Sequence, residues 1–387
     1  MNKILYVFGG EKAQGAEIVL ERMMAFNVNL VDAHLFISPG RFASDIIASG
    51  KSYKISLLKA LKKLNRSKNG RLKSLFNAMS NYIFLSYQVH RYLKINDIKI
   101  IHANTIMPAS YLIPVIAYSR IFYRSRKWIW SDHDITYYSR FEHQLSKICA
   151  KVYDFTLAVS KPVKKKYREN PKVFVLYNGL DISLFKADPA KRADFREFHG
   201  LPENCLILGM PAVVHERKGQ LKLIECFKVI AKPSLNVILL FAGGFEEATP
   251  DYSEAFFTAI AENAQIRHIG FINDMVSFYN GCDIIISNSN LKDSEPLGTT
   301  IYEAMACEKI VVASATGGTP EIINNQIDGF LFTPDSSPAL VQTLKAVIDD
   351  FNSLDYVRKA ARKKVKVKFN VQIMAKTYNE LIFGNLI

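Results

Sequence analysis

Residues 295–303 of this 387-residue chain are Glu-Pro-Leu-Gly-Thr-Thr-Ile-Tyr-Glu, and they connect a predicted strand to a predicted helix. A polar loop follows an apolar run, Gly298 permits a tight turn, and a helix is expected from about Thr299. Backbone N–H groups and the positive end of the helix dipole would then face an anion such as a phosphate. Glu295 and Glu303 flank this place. Because carboxylates repel phosphate, we expect them to accept hydrogen bonds from sugar hydroxyl groups.

Two other turns carry residues suited to phosphate. Residues 217–219, Arg-Lys-Gly, follow a predicted strand and precede a predicted helix, so Arg217 and Lys218 place two cations at a second helix start. Residues 317–321, Gly-Gly-Thr-Pro-Glu, form a further glycine-rich connection from a strand to a helix. All three turns belong to one repeating pattern of strands and helices.

In that pattern, apolar runs of strand length alternate with longer amphipathic segments, which is typical of a parallel sheet with helices on both faces. In the first part of the chain, strands are predicted at residues 3–8, 98–102, 127–131, 155–159 and 173–176, and helices at 16–24, 72–93 and 109–122. After a loop at 181–189, strands are predicted at 205–210, 236–242, 267–270, 284–288, 310–313 and 329–332, and helices at 220–231, 275–279, 299–307 and 338–351. Two basic helices follow, at 356–368 and 371–383.

The predicted fold class is therefore α/β, with two doubly wound, Rossmann-like parallel sheets in series. We expect one domain at residues 1–185 and the other at residues 186–369. In such folds ligands bind at the carboxyl ends of the strands, and here we expect them in the cleft between the two domains.

The net charge of +14 arises from 50 Lys and Arg against 36 Asp and Glu, and it is unevenly distributed. Residues 1–190 carry +17, residues 191–355 carry −10, and residues 356–387 carry +7. Hydrophobic residues make up 49% of the chain, which is enough to bury a core and excludes intrinsic disorder as the main description.

The stretch from Lys51 to Lys73 is strongly basic, since no acidic residue lies between Asp45 and Asp97. Apolar residues are interleaved with the cations, as in a helix that lies in a membrane interface. Docking on anionic lipid head groups is the favoured interpretation, and a merely solvated basic face is the alternative. Nucleic acid is not expected as a partner, because no base-reading motif is present. A second aromatic and basic cluster at residues 118–130 fits either a membrane contact or a core helix followed by a basic loop.

Other classes of protein are disfavoured. The longest apolar candidate, residues 106–119, is shorter than the roughly 18 to 20 residues of a membrane-spanning helix and contains Pro108 and Pro114. The apolar run at the start is too short for a signal peptide and is predicted to form a strand. The five cysteines are widely spaced without a Cys-x-x-Cys pair, so neither a disulfide framework nor a zinc site is predicted, and a cytoplasmic location is expected.

The ordered set of motifs resembles the family-four retaining glycosyltransferases, which have the two-domain GT-B fold. The set contains the glutamate pair with Pro-x-Gly inside it, Glu-Ala-Met-Ala at 303–306, Gly-Gly-x-Pro-Glu at 317–321, Lys-Gly at 218–219, Asn-Gly-x-Asp at 178–181, Ala-Val-Ser at 158–160 and Gly-Ala-Glu at 15–17. The resemblance covers nearly the full length. It implies that a last helix, at residues 370–387, crosses back to the first domain.

The resemblance also implies roles at a nucleoside-diphosphate sugar. Glu303 would hold the ribose hydroxyls and Glu295 those of the transferred sugar, while His133, at a predicted strand end, would approach the reacting sugar. His133, Lys218 and Glu295 are thus the candidate catalytic residues. The other candidate donor-binding residues are Gly15, Arg217, Phe271, Leu297, Gly298, Thr299, Thr300 and Glu303. No cofactor and no metal ion are implied. His102 also follows a strand, and a structural role is expected for it.

One position departs from the resemblance. Members of that family commonly carry Gly-Arg ahead of the Lys-Gly pair, whereas this chain has Pro211 and Ala212 there, and Arg217 or His215 would have to supply the cation.

The favoured function is transfer of a sugar to a lipid-linked glycan at the inner face of the cell membrane, in surface-polysaccharide synthesis such as that of lipopolysaccharide. A nucleotide-sugar epimerase and a non-catalytic partner subunit of a transferase complex are the alternatives.

Overall fold

A computed structural model of the chain describes all residues except 12–14, 62–70, 137–138, 232–235, 246–248, 293 and 385–387. The side chains of residues 60, 71–79 and 81 are also outside the description. The chain forms two compact units. The first contains residues 1–179 and 371–387, and the second contains residues 180–370.

The first unit is built on a parallel sheet of seven strands. The strands are β1 (Asn2–Phe8), β2 (Val31–Ile37), β3 (Lys54–Leu57), β4 (Ile100–Asn104), β5 (Lys127–Asp132), β6 (Phe155–Ala158) and β7 (Val173–Val175). The helices of residues 1–179 are α1 (Gly15–Phe26), α2 (Arg41–Ala48), α3 (Arg71–Ile95), α4 (Ile106–Tyr111), α5 (Ile113–Phe122), α6 (Arg140–Val152) and α7 (Lys161–Lys165). The spatial order is β3-β2-β1-β4-β5-β6-β7, so the sheet reverses its direction of growth between β1 and β4. This is the doubly wound arrangement that the sequence predicts.

The second unit repeats this arrangement with a six-stranded parallel sheet. Its strands are β8 (Leu206–Pro211), β9 (Val237–Ala242), β10 (Ile266–His268), β11 (Ile284–Ser287), β12 (Ile310–Ser314) and β13 (Phe330–Phe332). Its helices are α8 (Pro189–Phe198), α9 (Gln220–Ile230), α10 (Pro250–Ala261), α11 (Met275–Gly281), α12 (Thr299–Ala306), α13 (Thr319–Ile322), α14 (Ser337–Asp349) and α15 (Asp355–Lys368). The order β10-β9-β8-β11-β12-β13 reverses between β8 and β11. Most strand residues are buried, and the central strands are buried almost throughout, which explains why those strands are continuous apolar runs.

The last helix, α16 (Val371–Phe383), belongs to the first unit and packs against α1. Met374 and Tyr378 of α16 lie in the same core cluster as Met23 of α1 and Tyr6 of β1. The chain therefore leaves the first unit after Gly179 and completes its core with a segment that begins almost 200 residues later.

Several local predictions were wrong or incomplete. The single helix predicted at 109–122 is two helices, α4 and α5, because Pro114 lacks an N–H and lies in the first turn of a new helix. Strands β2 and β3 and helices α2, α6, α7, α8 and α10 were not predicted. Each of these elements is short or contains polar residues that weaken its hydrophobic pattern. The predicted alternation of strands and helices around them was otherwise correct.

The stretch from Lys51 to Lys73 also differs from its prediction as an interfacial helix. Residues 54–57 form the edge strand β3, residues 59–61 form a short 3-10 helix, and residues 62–70 lie outside the described part of the chain. Lys51 pairs with Glu21, and the Lys54 ammonium lies 2.7 Å from the Asp32 carboxylate. Two cations of this stretch therefore have carboxylate partners within the first unit.

Candidate functional site

The loops that leave β8 and β11 carry the candidate donor-binding residues of the second unit. These two strands are neighbours at the point where the strand order reverses, and the loops at their carboxyl ends diverge to opposite faces of the sheet. Lys218 lies in the first loop and Glu295 in the second. The doubly wound topology thus brings together two residues that are 77 positions apart in sequence.

The loop after β8 is held by backbone and side-chain hydrogen bonds. Residues 216–218 form a 3-10 turn whose start is capped by His215, because its Nδ1 accepts a 3.0 Å hydrogen bond from the Arg217 N–H. Gly219 adopts a left-handed φ of 72°, and a Cβ there would lie 2.6 Å from the Asn288 carbonyl oxygen. The Asn288 side chain donates a 2.8 Å hydrogen bond to the Gly219 carbonyl, which ties the loop to the end of β11.

Lys218 and Glu295 form a direct ion pair in the free protein. The Lys218 ammonium donates to Glu295 Oε1, and both side chains are more than four-fifths buried. Ser289 donates to the same oxygen at 3.3 Å, and the Arg217 guanidinium lies 3.8 Å from it. Arg217 therefore provides the second cation near Lys218, whereas His215 serves as the helical cap. Ala212 has no polar side chain and contributes a backbone hydrogen bond, in which its N–H donates to the Ala242 carbonyl at 2.9 Å.

The loop after β12 fixes the backbone of the glutamate segment. The Gly318 N–H donates to the Glu295 carbonyl at 2.9 Å. Gly317 has a φ of 55°, and a Cβ at that position would lie 1.9 Å from the same carbonyl oxygen. Only glycine is compatible with so close an approach. The motif at 317–321 thus acts as a support for Glu295.

The segment from Leu297 to Thr300 forms the start of α12, as the sequence predicts. Leu297 and Gly298 are buried, while Thr299 and Thr300 are partly exposed. Over the part of the chain that the structure describes, no side chain caps this helix start. Its first N–H groups and the positive end of its dipole are therefore suited to an anionic ligand.

Glu303 lies one turn into α12 and is almost completely buried. Tyr279 of α11, also buried, donates a 2.9 Å hydrogen bond to Glu303 Oε2. The ring of Tyr279 packs on Phe185 and Phe278, so the hydroxyl is held in a fixed position. Tyr279 therefore orients the Glu303 carboxylate.

Replacing Tyr279 with phenylalanine should lower the free energy of unfolding by about 1–3 kcal/mol, because a buried carboxylate oxygen loses a donor. Chemical denaturation measures this change. Tyr356→Phe, at an exposed position of α15, is the matched control and should alter stability by less than about 0.5 kcal/mol. Equal stability of the two variants would contradict the assigned role of Tyr279.

Phe271 is 70% exposed, in the loop after β10, and a hydrogen bond from the Gly243 N–H to the Gly270 carbonyl (2.8 Å) joins that loop to the end of β9. Strands β9 and β8 lie between β10 and β11 in the sheet. The loop that carries Phe271 is therefore at the same edge of the sheet as the glutamate loop, but two strands separate them. Its contact with a nucleobase stays a prediction.

In the first unit, His133 follows β5 and contacts Asn104, the last residue of β4. The His133 Nε2 lies 2.9 Å from Asn104 Oδ1. Burial lowers the pKa of His133 to about 4, and the neighbouring Asp132 carboxylate opposes that shift only in part. The imidazole is therefore neutral at pH 7 and acts by hydrogen bonding, not as a cation. Asp132 is buried and paired with Lys166 at 2.7 Å.

His102 is a structural residue, as expected. Its two ring nitrogens lie 3.0 Å from the Tyr378 hydroxyl and 2.8 Å from Ser131 Oγ, and burial lowers its pKa to about 3. Gly15 is the first residue of α1, directly after residues 12–14, which lie outside the description, and a Cβ there would have no atom of the described residues within 4 Å.

Sequence reasoning did not identify Tyr279, Ser289, Asn288 or Asn104. Each supports a candidate residue through a contact between segments that are distant in the chain or separated by a loop, and none belongs to a recognisable motif.

Among the described residues, no group of three or more His, Cys, Asp or Glu side chains is arranged to hold a metal ion. In the same residues, no helix is long and apolar enough to cross a membrane.

Comparison with known proteins gives a family match in the second unit. Residues 191–364 match the family model of glycosyl transferases group 1. The capsular polysaccharide biosynthesis glycosyltransferase CapM of Staphylococcus aureus is 27% identical over 230 residues, 56% of this chain and 58% of the relative. The UDP-Gal:alpha-D-GlcNAc-diphosphoundecaprenol alpha-1,3-galactosyltransferase of Escherichia coli is 25% identical over 213 residues, 54% and 53% of the two chains. The chain thus spans little more than half the length of these curated relatives.

Solved structures match the whole chain. HepE from Anabaena, in a complex with UDP, has a TM-score of 0.82 at 22% identity and covers 98% of this chain and 99% of its own. Sucrose-phosphate synthase from Thermosynechococcus elongatus has a TM-score of 0.76 at 18% identity, with 98% coverage of both chains. These likenesses show the GT-B fold that the sequence predicts. Residues 191–364, which lie within the second unit, are thus similar to the family of glycosyl transferases group 1.

Proposed function

We propose that the protein is a retaining hexosyltransferase that moves a sugar from a nucleoside-diphosphate sugar to a glycan acceptor. The observation that carries the proposal is the Lys218–Glu295 pair beside the uncapped start of α12. A cation and a helix start suit a diphosphate, and a carboxylate at the same place suits the hydroxyls of the attached sugar. The buried Glu303, one helical turn further, would hold the ribose.

In this proposal, the bond from the sugar to the diphosphate breaks through a transition state with oxocarbenium character. Negative charge then grows on the departing diphosphate. Lys218, Arg217 and the N–H groups of residues 297–300 are positioned by the surrounding loops, so they stabilise this charge once the Lys218 ammonium exchanges the Glu295 carboxylate for the diphosphate. The transferred sugar is oriented by Glu295.

Retention of configuration follows if the acceptor hydroxyl attacks from the face that the diphosphate leaves. The hydroxyl oxygen bonds to the anomeric carbon, the diphosphate takes the bonding electron pair, and one of its oxygens receives the hydroxyl proton. His133, as a neutral imidazole, can accept or donate a hydrogen bond to a sugar hydroxyl. The reaction then requires no cofactor, metal ion or protein nucleophile.

The acceptor is proposed to be lipid-linked. Two relatives support this: one is named for capsular polysaccharide biosynthesis, and the name of the other specifies an acceptor on diphosphoundecaprenol. The excess of positive charge in residues 1–190 fits a protein that works at an anionic membrane surface. We therefore propose a peripheral location at the inner face of the cell membrane.

A screen of nucleotide sugars tests the function directly. Each is added to the purified protein, thermal stabilisation is measured, and donors that stabilise it are incubated with and without lipid-linked glycan acceptors. Transfer that depends on the acceptor, with retained anomeric configuration by NMR, is the expected result. Conversion of the donor without any acceptor would identify an epimerase instead, and stabilisation without turnover would indicate a non-catalytic subunit.

Removal of divalent metal ions should leave the transfer rate within about twofold of its original value. Lys218, Arg217 and the helix start of α12 would supply the stabilisation of the diphosphate that a metal ion supplies elsewhere. The measurement is the initial rate in excess EDTA and after re-addition of Mg²⁺ or Mn²⁺. A rate that collapses in EDTA and returns with the metal would contradict a metal-independent mechanism.

A further inference from the structure

Helices α3 and α5 pack side by side on one face of the first unit. The His90 ring of α3 lies against Tyr118 of α5 and Tyr123 just after it, with ring centroids 4.9 and 5.6 Å apart. Leu85, Val89 and Leu93 of α3 are buried. The outward faces of the two helices therefore form one continuous surface.

The side of a helix that faces water usually carries polar side chains, whereas this outward surface carries apolar ones. Six large apolar side chains on this surface are between 44% and 70% exposed. They are Ile83, Phe84 and Tyr87 of α3 and Tyr118, Ile121 and Phe122 of α5. On α5 they follow the spacing i, i+3 and i+4, so they share one side of the helix. Ile116, on the opposite side, is buried. Helix α5 thus has an apolar face toward the core and a second one toward solvent.

The charged residues within α3 and α5 are all cationic. Neither α3 nor α5 contains Asp or Glu. Arg91 and Lys94 of α3 and Arg124 after α5 are exposed next to the apolar side chains. Arg120 is not counted, since it pairs with Asp154 at 2.8 Å. A row of apolar side chains edged by cations is complementary to a bilayer with anionic head groups.

We propose that this surface, defined by the six apolar side chains and by Arg91, Lys94 and Arg124, docks the protein on an anionic lipid bilayer. The aromatic and aliphatic side chains enter the head-group region, and the three cations contact lipid phosphates. A second copy of the chain would bring cations against cations. None of these nine residues belongs to the stretch between Lys51 and Lys73, in which Lys51 and Lys54 are paired with carboxylates.

Flotation with vesicles of phosphatidylglycerol and phosphatidylcholine tests the proposal and does not depend on turnover. The full chain should float with these vesicles and not with phosphatidylcholine alone. The double substitution Ile121→Ser with Phe122→Ser should weaken binding about tenfold or more, because it removes two exposed apolar anchors. Arg91→Glu with Lys94→Glu should weaken vesicle binding by a similar factor in low salt. As the salt concentration is raised, binding by the wild type should fall toward that of this variant.

Two matched controls sharpen the result. Phe198→Ser with Val229→Ser removes two equally exposed apolar side chains from the second unit and should leave binding unchanged. Lys59→Glu reverses an exposed charge in the earlier basic stretch and should also leave binding unchanged. Absence of wild-type flotation, equal binding by the Ile121 and Phe122 variant, or equal loss in the Phe198 and Val229 control would overturn the proposal. So would a lipid-free dimer that the Ile121 and Phe122 variant abolishes.

Discussion

Replacing Lys218 with alanine is expected to lower the turnover number for sugar transfer by about 10²- to 10³-fold. The magnitude is that of losing one preorganised group that stabilises charge in a transition state, or about 3–4 kcal/mol. Lys218 is held at the end of a capped 3-10 turn, so its ammonium needs only to leave Glu295 to contact the diphosphate on which charge develops. Initial rates at saturating donor and acceptor measure the effect.

Lys222→Ala is the matched control for this prediction. Lys222 lies in the first turn of α9, and its ammonium is 3.4 Å from the Asp335 carboxylate. Its loss should leave turnover within about twofold of wild type. Wild-type turnover in the Lys218 variant would show that the ammonium does not act on the leaving group and would refute its assignment.

Replacing Glu295 with glutamine should have opposite effects on binding and on transfer. In the free protein, the Glu295 carboxylate pairs with Lys218 and lies 3.8 Å from Arg217, so it competes with a diphosphate for both cations. The neutral amide ends this competition, and the affinity for a nucleoside diphosphate alone should rise about five- to tenfold, or about 1 kcal/mol. Transfer should fall about 10- to 100-fold, because the sugar hydroxyls lose a charged acceptor.

Calorimetric titration with nucleoside diphosphates and initial rates of transfer separate the two effects. Glu225→Gln, which neutralises an exposed carboxylate of α9, should change neither. Weaker binding of the diphosphate by the Glu295 variant would show that the carboxylate supports the donor site and does not compete with it. Unchanged transfer would instead remove the contact between Glu295 and the sugar.

Much of the fold could be predicted because buried parallel strands are continuous apolar runs. The predicted strand at 3–8 lies within β1, and the predicted helix at 371–383 coincides with α16. Strands β2 and β3 were missed for a physical reason. Asp32 and His34 interrupt β2, and Lys54 and Ser56 interrupt β3 at the edge of the sheet, where one side is not enclosed by neighbouring strands.

The positions of the candidate donor-binding residues were predicted in part. The turn at Gly298 and the helix from Thr299 follow from local signals, since a glycine turn and a helix start depend on neighbouring residues. The support of Glu303 by Tyr279 could not be predicted, because it joins two helices through a single hydroxyl group. The pairing of Lys218 with Glu295, and therefore their competition with a diphosphate, also required the tertiary structure.

The sequence by itself determined the alternation of strands and helices, the doubly wound fold class, the polar turns at the ends of strands and the uneven charge. These properties depend on residues that are near one another in the chain. The tertiary structure decided which turns meet, which cations are already paired and which apolar side chains stay exposed. The exposed face of α5 shows the difference: its sequence is that of a buried helix on both sides, and only the packing leaves Ile121 and Phe122 open to solvent. Burial and pairing depend on distances between segments that the chain brings together on folding, and no local pattern records those distances.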